Sequence, residues 1–152
     1  MSASNTFESD VLLLLLNNTN IANLGDAVGV RGSTAAGSVY VSLHTADPGE
    51  AGNQTTSETA YTGYARVAVA RTAGGWTISG TAPTQAANAA LVTFGPCTAA
   101  PGAALTFFAI GRDSSGVGEI LLSGALTASL TLTSSPSITP NFPIGTLIAT
   151  CD

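Results

Sequence analysis

Residues 39–71, VYVSLHTADPGEAGNQTTSETAYTGYARVAVAR, decide the fold, because two alternating apolar runs flank a long polar segment. Apolar residues recur at every second position in residues 39–45 and again in residues 64–70, which is the period of a half-buried strand. Between these runs, Asp47-Pro48-Gly49 has the residue types of a tight turn, and residues 53–59 are all polar. The stretch therefore predicts two strands joined by a long exposed loop.

The chain from residue 72 onward continues with short apolar runs separated by Gly, Pro, Ser and Asn clusters. This pattern is typical of a mainly β fold, a single-domain β-sandwich or a jelly-roll-like barrel, of about eight short strands. We expect Gly74-Gly75 to join the second and third strands in a hairpin, and Asp113 to Gly116 to join the fifth and sixth. The eight strands are expected near residues 39–45, 64–70, 76–78, 90–94, 106–111, 119–125, 128–133 and 146–150.

Residues 1–30 have the pattern of a helix rather than of strands, and they predict an N-terminal helical arm. Residues 31–152 supply the predicted β-sandwich domain. Asn5 and Glu8 have the spacing of an N-cap and the third helical position, which predicts an N-terminal α-helix over residues 6–17. Residues 12–16 are five consecutive leucines, which cover the full circumference of a helix. The helix must therefore be covered on several sides, either by the β-domain or by a neighbouring subunit.

Charge is scarce in this chain, with four Lys or Arg residues and nine Asp or Glu residues giving a net charge of −5. The four cations are all arginines and are scattered across separate segments, so we expect no nucleic-acid-binding surface. Charged residues make up 9% of the chain, and charges are depleted at interface cores, which favours a surface that faces other proteins over one solvated by hydroxyl groups. Five leucines fall far short of the ~20 apolar residues of a transmembrane helix, so we expect no membrane partner.

Cys97 and Cys151 are the only cysteines, which permits one disulfide and excludes a zinc site built from cysteines. We favour two unpaired thiols, although the sequence leaves the pairing open. His44 is the single histidine, and Asp47 follows three residues later, but the nucleophile elbow of a serine hydrolase is absent. We expect His44 to bond the loop backbone rather than to catalyse a reaction.

The acids Asp47, Glu50 and Glu58 share one loop and could collect a cation, but their spacing does not match a known calcium loop, so ordinary solvation is favoured. We predict no catalytic residue, no cofactor and no metal. Arg66 should face the same side of its strand as Tyr64, because the two are two positions apart. A structural ion pair with Glu58, or with an acid on a neighbouring subunit, is the expected role of Arg66.

Three segments of the sequence carry a resemblance to a known family: LHTADPG at Leu43 to Gly49, YARV at Tyr64 to Val67, and GGW at Gly74 to Trp76. A looser match covers SGAL from Ser123 and GTL from Gly145. Together they resemble a family of small virion structural proteins of tailed bacteriophages. Its members are often labelled tail fibre proteins, and some resemble capsid cement, or decoration, proteins. The resemblance covers roughly residues 38–152 and implies a structural part of a virus particle.

From these observations we predict a non-enzymatic bacteriophage virion protein, most simply a capsid cement protein that binds the major capsid protein and stabilises the shell. The alternative is a tail-fibre or tail-tip module for host attachment, which aromatic residues exposed on loops would favour; Tyr40, Tyr61, Tyr64 and Trp76 are the candidates. Either role suits a homo-oligomer that contacts other virion proteins. The residues predicted to lie at interfaces are Leu12, Leu13, Leu14, His44, Asp47, Glu50, Glu58, Tyr61, Tyr64 and Arg66.

Overall fold

The computed structural model describes residues 4–21, 35–81 and 83–151, and within these ranges it contains one helix and nine strands. The predicted boundary between residues 30 and 31 lies outside the described residues. In chain order the elements are α1 (Asn5–Asn17), β1 (Ser38–His44), β2 (Val67–Ala70), β3 (Trp76–Ser79), β4 (Thr84–Asn88), β5 (Val92–Thr93), β6 (Leu105–Gly111), β7 (Ile120–Leu130), β8 (Asn141–Phe142) and β9 (Ile148–Cys151).

The strands form three sheets, with the orders β2-β1-β6-β7, β3-β4-β9 and β5-β8. The pairings of β1 with β6, β6 with β7, β3 with β4 and β4 with β9 are all antiparallel. The predicted mainly β class with an N-terminal helix is confirmed, and no sheet in the described part of the chain closes into a barrel.

One predicted hairpin is confirmed and the other is wrong. Strands β6 and β7 pair antiparallel across the turn at Asp113 to Gly116, as expected. Gly74-Gly75 does not pair the strands that flank it, because β2 lies in the four-stranded sheet and β3 in the three-stranded one. The chain turns there with Gly75 and Trp76 both donating backbone hydrogen bonds to the Thr72 carbonyl, at 2.9 and 3.0 Å. The chain thus passes from one sheet to the other at this turn instead of returning along the same sheet.

The chain divides into two compact units. The first contains residues 1–38, 70–92 and 142–152, and therefore holds α1 and the three-stranded sheet. The second contains residues 39–69 and 93–141 and holds almost all of the four-stranded sheet. Every residue of the second unit is described.

The N-cap of α1 is Ser4 rather than the predicted Asn5. Ser4 has extended backbone angles, φ −82° and ψ 150°, and its Oγ accepts a hydrogen bond from the Phe7 amide at 3.3 Å. A serine hydroxyl satisfies one of the free N–H groups of the first turn as well as an asparagine side chain does, so the helix is capped one residue earlier than predicted. Asn18 ends the helix in the left-handed conformation, and the Thr19 amide donates to the Leu13 carbonyl at 3.0 Å.

Arg71 holds the C-terminal end of α1 from a different segment. Its Nε donates to the Leu15 carbonyl at 2.6 Å, and its Nη2 donates to the Leu14 carbonyl at 2.8 Å. The last carbonyls of a helix lack partners inside it and carry the negative end of the helix dipole, so a guanidinium there both fills hydrogen bonds and neutralises charge. Arg71 therefore anchors the helix to the first unit.

The leucine run is covered by the chain's own sheet on one side. Helix α1 packs on β3, β4 and β9, and Leu12 and Leu16 are buried. Leu13, Leu14 and Leu15 are half-buried. The chain itself therefore buries Leu12 and Leu16. Contact of Leu13 and Leu14 with a neighbouring subunit stays a prediction.

Candidate functional site

The predicted exposed loop, residues 47–59, is folded back against strand β1 and other parts of the second unit. Thr45 N–H donates to the Ser57 carbonyl at 2.8 Å, and Thr59 N–H donates to the Leu43 carbonyl at 2.9 Å. His44 and Glu58 form an antiparallel bridge between these two bonds. The base of the loop is therefore extended like a short hairpin. Its tip around Asp47 to Ala51 is exposed as predicted, apart from the buried Pro48, and Thr55 and Ser57 are exposed as well.

Gln54 fastens the far side of the loop to the turn between β6 and β7. Its side chain is fully buried, its Oε1 accepts from the Asp113 amide at 3.0 Å, and its own backbone amide donates to the Gly118 carbonyl at 2.8 Å. A Cβ added at Gly111 or Gly118 would collide with the Gln54 side chain. Both glycines therefore make room for Gln54, which in the sequence looks like one more polar loop residue.

Glu58 and Arg66 form the ion pair that the sequence predicted. Arg66 Nε lies 2.7 Å from Glu58 Oε1, and Arg66 Nη2 lies 2.7 Å from Glu58 Oε2, so the pair is bidentate. The Arg66 side chain is 3% exposed and that of Glu58 is 14% exposed. The hydrogen bonds to the Glu58 carboxylate raise the pKa of the Arg66 guanidinium above its ordinary value. This is a largely desolvated pair of the kind that is costly to break.

Arg66 and Glu58 also form hydrogen bonds with other backbone and side-chain groups. Arg66 Nη1 donates to the Asp113 carbonyl at 3.0 Å and Nη2 to the Gly116 carbonyl at 2.8 Å. The Tyr64 hydroxyl donates to Glu58 Oε1 at 2.7 Å and accepts from the Leu43 amide at 3.2 Å. Burial is the main reason that the pKa of Tyr64 is raised. Strand β1, the loop and the β6–β7 turn are thus joined through one carboxylate and one guanidinium.

His44 is fully buried and bonds the loop backbone, as predicted. Its Nδ1 lies 2.8 Å from the Thr56 carbonyl, and because a carbonyl only accepts, Nδ1 carries the proton. Nε2 of the neutral ring then accepts from the Ser42 hydroxyl at 2.9 Å. Burial lowers the pKa of His44 below its ordinary value, which favours this neutral form.

The Ser42–His44 contact has the distance of a nucleophile and its base, but not the access. Ser42 and His44 both have 0% exposed surface. The third member of a triad is also missing at this position, because the ring is oriented by a backbone carbonyl, while Asp47 Oδ1 accepts from the Gly49 amide at 2.9 Å in its own turn. The contact therefore lies within β1 and orients the His44 ring, whose Nδ1 holds the Thr56 carbonyl of the loop.

The candidate aromatic residues pack inside the chain. Tyr61 is buried and donates to the Gly95 carbonyl at 2.9 Å, and burial raises its pKa to about 12. Its ring meets that of Tyr64 edge-on at 5.4 Å, and Tyr64 stacks on Phe94 at 6.0 Å. Trp76 is buried in the first unit, and Tyr40 is half-buried. Tyr61, Tyr64 and Trp76 therefore do not supply the exposed aromatic surface that would favour the tail-fibre or tail-tip alternative.

A groove lies beside the loop tip on the second unit. It has a volume of about 380 Å³ and is lined by Asp47, Gly49 and Glu50 on the loop and by residues 120–123 of β7. Asp47 and Glu50 are exposed, and neither forms an ion pair within the part of the chain that the structure describes. The predicted loop carboxylates therefore separate into two groups: Glu58 is committed to Arg66, while Asp47 and Glu50 face solvent.

Almost the whole chain, residues 2–150, matches the family model described as "Podophage GP4 fiber I protein gp80". The chain belongs to this family. No curated protein matches it. As a member of the podophage fiber I protein family, the chain is a component of the virion with a structural role, and this confirms the virion localisation that the sequence predicted.

In this fiber-family chain, the structure brings four of the ten predicted interface residues together, namely His44, Glu58, Tyr64 and Arg66, in one polar cluster. The cluster also includes Ser42 and Gln54, which the sequence did not point to, because Ser42 occupies the polar side of an alternating run and Gln54 lies in a polar run, and both positions look solvated. Within residues 4–21, 35–81 and 83–151, no three metal-ligating side chains come together, and no helix is long and apolar enough to span a bilayer. Cys97 is a buried, unpaired thiol.

Proposed function

We propose that the chain is a non-enzymatic structural subunit of the phage fibre, which holds its place by contacts with other virion proteins. The observation that carries this proposal is the match of residues 2–150 to a family described as a fiber protein. Because the match extends over both compact units, the proposed role belongs to the whole chain rather than to an appended segment.

The polar cluster supports a mechanical rather than a catalytic role. Glu58 and Arg66 join the loop to the β6–β7 turn, and His44 of β1 holds the Thr56 carbonyl of the loop, so a load on the loop tip is passed to the four-stranded sheet. The only serine and histidine pair with catalytic spacing among the described residues has no exposed surface. Packed aromatic residues also favour a structural subunit over a host-attachment tip, because stacking platforms for glycans must be exposed.

A capsid cement role, with the major capsid protein as partner, is the second candidate. The observation in its favour is the low charge of the chain, 9% of residues, since a surface that covers a protein lattice is depleted in charges. Repetition over a lattice would turn a modest contact at each copy into a large total stabilisation. A homo-oligomer suits either candidate, because repeated subunits in a particle are related by symmetry.

Gold-labelled antibodies against the chain, applied to purified particles, test the two candidates. We expect gold on the fibres, and a copy number by quantitative mass spectrometry that matches the number of fibres. Gold over the capsid surface, with a copy number that matches the capsid lattice, would replace the fibre role with the cement role. Absence of the chain from purified particles would overturn both.

A further inference from the structure

The first compact unit carries exposed apolar side chains on two of its segments. Five large apolar side chains are exposed among the described residues, and three of these form what we call the apolar patch of the first unit: Leu91, Ile144 and Ile148. They are 59%, 67% and 43% exposed, respectively. A single exposed apolar residue is ordinary, but a group of them marks an interaction surface.

Asn88 gathers the two segments and fixes the patch. Its side-chain Nδ2 donates to the carbonyls of Ala90 and Pro143, at 2.8 and 2.9 Å, and its Oδ1 accepts from the Leu147 amide at 2.9 Å. Each of these three bonded residues is the chain neighbour of one patch residue. Asn88 itself is only 1% exposed. One buried side chain therefore holds the patch in place, which lowers the ordering cost of binding.

The patch lies in a part of the chain that carries no charge. Residues 72–92 and 142–151 contain no Asp, Glu, Lys, Arg or His, although they supply the whole of β3, β4 and β9. The complete chain has a net charge of −5. Cores of protein interfaces are depleted in charged residues, so these segments have the composition of an interface core.

The distribution of charge points to a second copy of the chain as the partner. The second unit, all of whose residues are described, exposes Asp47, Glu50, Asp113 and Glu119 but only one cation, Arg112. Helix α1 contains two acids and no base. Two copies that met through either of these described surfaces would bring like charges together, which opposes binding. Two apolar patches that face each other bring no charges together, and they match because both copies supply the same side chains.

We infer that copies of this chain bind each other through the apolar patch, with the three side chains of one copy packed against those of the next. Burial of apolar surface supplies the affinity. This contact deepens the proposed function and rests on it, because it names the surface that joins repeated structural subunits. The exposed acids of the second unit are then left for partners of opposite charge.

Sedimentation velocity of the purified chain over a concentration series tests the contact. We expect the parent protein to self-associate. In the double variant Leu91→Asp and Ile144→Asp, the dissociation constant should rise roughly a hundredfold or more, because the contact would bury unpaired carboxylates. Val117→Asp is the matched control, since Val117 is 78% exposed and lies outside the patch. Its dissociation constant should stay within about twofold of the parent value.

Salt separates an apolar contact from a charged one in the parent protein. Each copy has a net charge of −5, so salt screens a repulsion between copies. Raising NaCl from about 50 mM to about 500 mM should therefore leave the dissociation constant unchanged or lower it. Weaker association at high salt would show that charges hold the copies together, and it would overturn the inference.

Photo-crosslinking in assembled particles identifies the partner. Ala90, which is exposed beside the patch, is replaced by p-benzoylphenylalanine, and the adducts are identified by mass spectrometry. We expect an adduct between two copies of this chain. A parent protein that stays monomeric, association unchanged in the double variant, or an adduct only with a different virion protein would overturn the inference. Any of these results with the chain present in particles refutes only the contact, whereas absence of the chain from particles refutes the proposed function.

Discussion

Removing the Glu58 carboxylate should destabilise the protein more than any other single change of a surface-loop charge. In Glu58→Ala, Arg66 would keep its backbone acceptors at Asp113 and Gly116 but lose both short bonds to a carboxylate, with only 3% of its side chain exposed. Leaving one partner of a buried pair uncompensated costs about 3–5 kcal/mol. For a chain of this length that corresponds to a fall in Tm of roughly 6–20 °C.

The exposed pair of Arg112 and Glu119 provides the internal comparison. Their nitrogen and oxygen atoms lie 3.0 Å apart, yet the two side chains are 62% and 61% exposed. Exposed pairs contribute about 0–1 kcal/mol, so Glu119→Ala should shift Tm by no more than a few degrees. Added salt should weaken the Arg112–Glu119 pair and leave the Arg66–Glu58 pair nearly unchanged, because buried charges are screened much less.

A double-mutant cycle measured by chemical denaturation separates the ion pair from loss of packing. Arg66→Met removes the cation but keeps an apolar stem, so the variant carrying both Glu58→Ala and Arg66→Met should be more stable than the sum of the single changes predicts. We expect a coupling free energy of about 2–3 kcal/mol. A cost of Glu58→Ala below about 1 kcal/mol, or additive single changes, would refute the reasoning that the pair is desolvated and mutually dependent.

Gln54, His44 and Arg71 supply three more tests. Gly118→Ala should lower the free energy of unfolding in urea by about 1–3 kcal/mol, because the added Cβ collides with Gln54. Gly74→Ala is the control: its Cβ meets only an ordinary contact, so it should cost less than about 1 kcal/mol. Equal costs of the two changes would contradict the packing of Gln54. Burial lowers the pKa of His44, so below the ordinary value of 6.5 the unfolded chain binds a proton that the folded chain does not, and the free energy of unfolding should fall as pH drops through that value. His44→Gln should flatten this dependence of the free energy of unfolding on pH. The same dependence in both proteins would count against a neutral buried ring. Arg71→Met should lower the Tm by a few degrees. On warming, this variant should lose its helical circular dichroism signal before the sheets unfold. An unchanged helical signal would show that Arg71 does not hold α1.

The periodicity of the sequence predicted most of the strands because their apolar positions alternate. Strand β1 and strand β6 lie within one residue of the predicted ranges, and Val41, Leu43 and Ile110 are buried as expected. The strand Thr84–Asn88, TQAAN, was missed because it carries no β-branched apolar residue and no large one. Its buried positions are filled by Thr84, Ala86 and Asn88, which fit a close approach of helix α1.

The two predicted strands at residues 119–125 and 128–133 are one strand, Ile120–Leu130. Ser123 to Ala125 and Thr127 to Ser129 are small or polar, and such residues look like turn residues when they are read locally. They remain in strand conformation because β6 pairs with β7 on both sides of the register shift. Tertiary pairing therefore overrode the local turn signal, as often happens for residues of weak β-propensity.

The sequence predicted the ion pair of the polar cluster but not the uncharged residues that belong to it. The pairing of Arg66 with Glu58 follows from the common face of Tyr64 and Arg66 and from the nearness of an acid in the sequence. The role of Gln54 depends on a contact with Asp113, far along the chain, and the role of Ser42 depends on the orientation of the buried His44 ring, so no local pattern reveals either role. The loop therefore looked free in the sequence although it is fastened at both ends in the structure.

Cryo-electron microscopy of the intact virion tests the central claim, a structural role in the phage fibre, most directly. The fold of the second unit, with its four strands in the order β2-β1-β6-β7, provides a recognisable shape for assigning density. The account predicts that this unit fits density in a fibre, in contact with a neighbouring virion protein. A fit to density on the outer capsid shell, with no copy in the fibre, would contradict it.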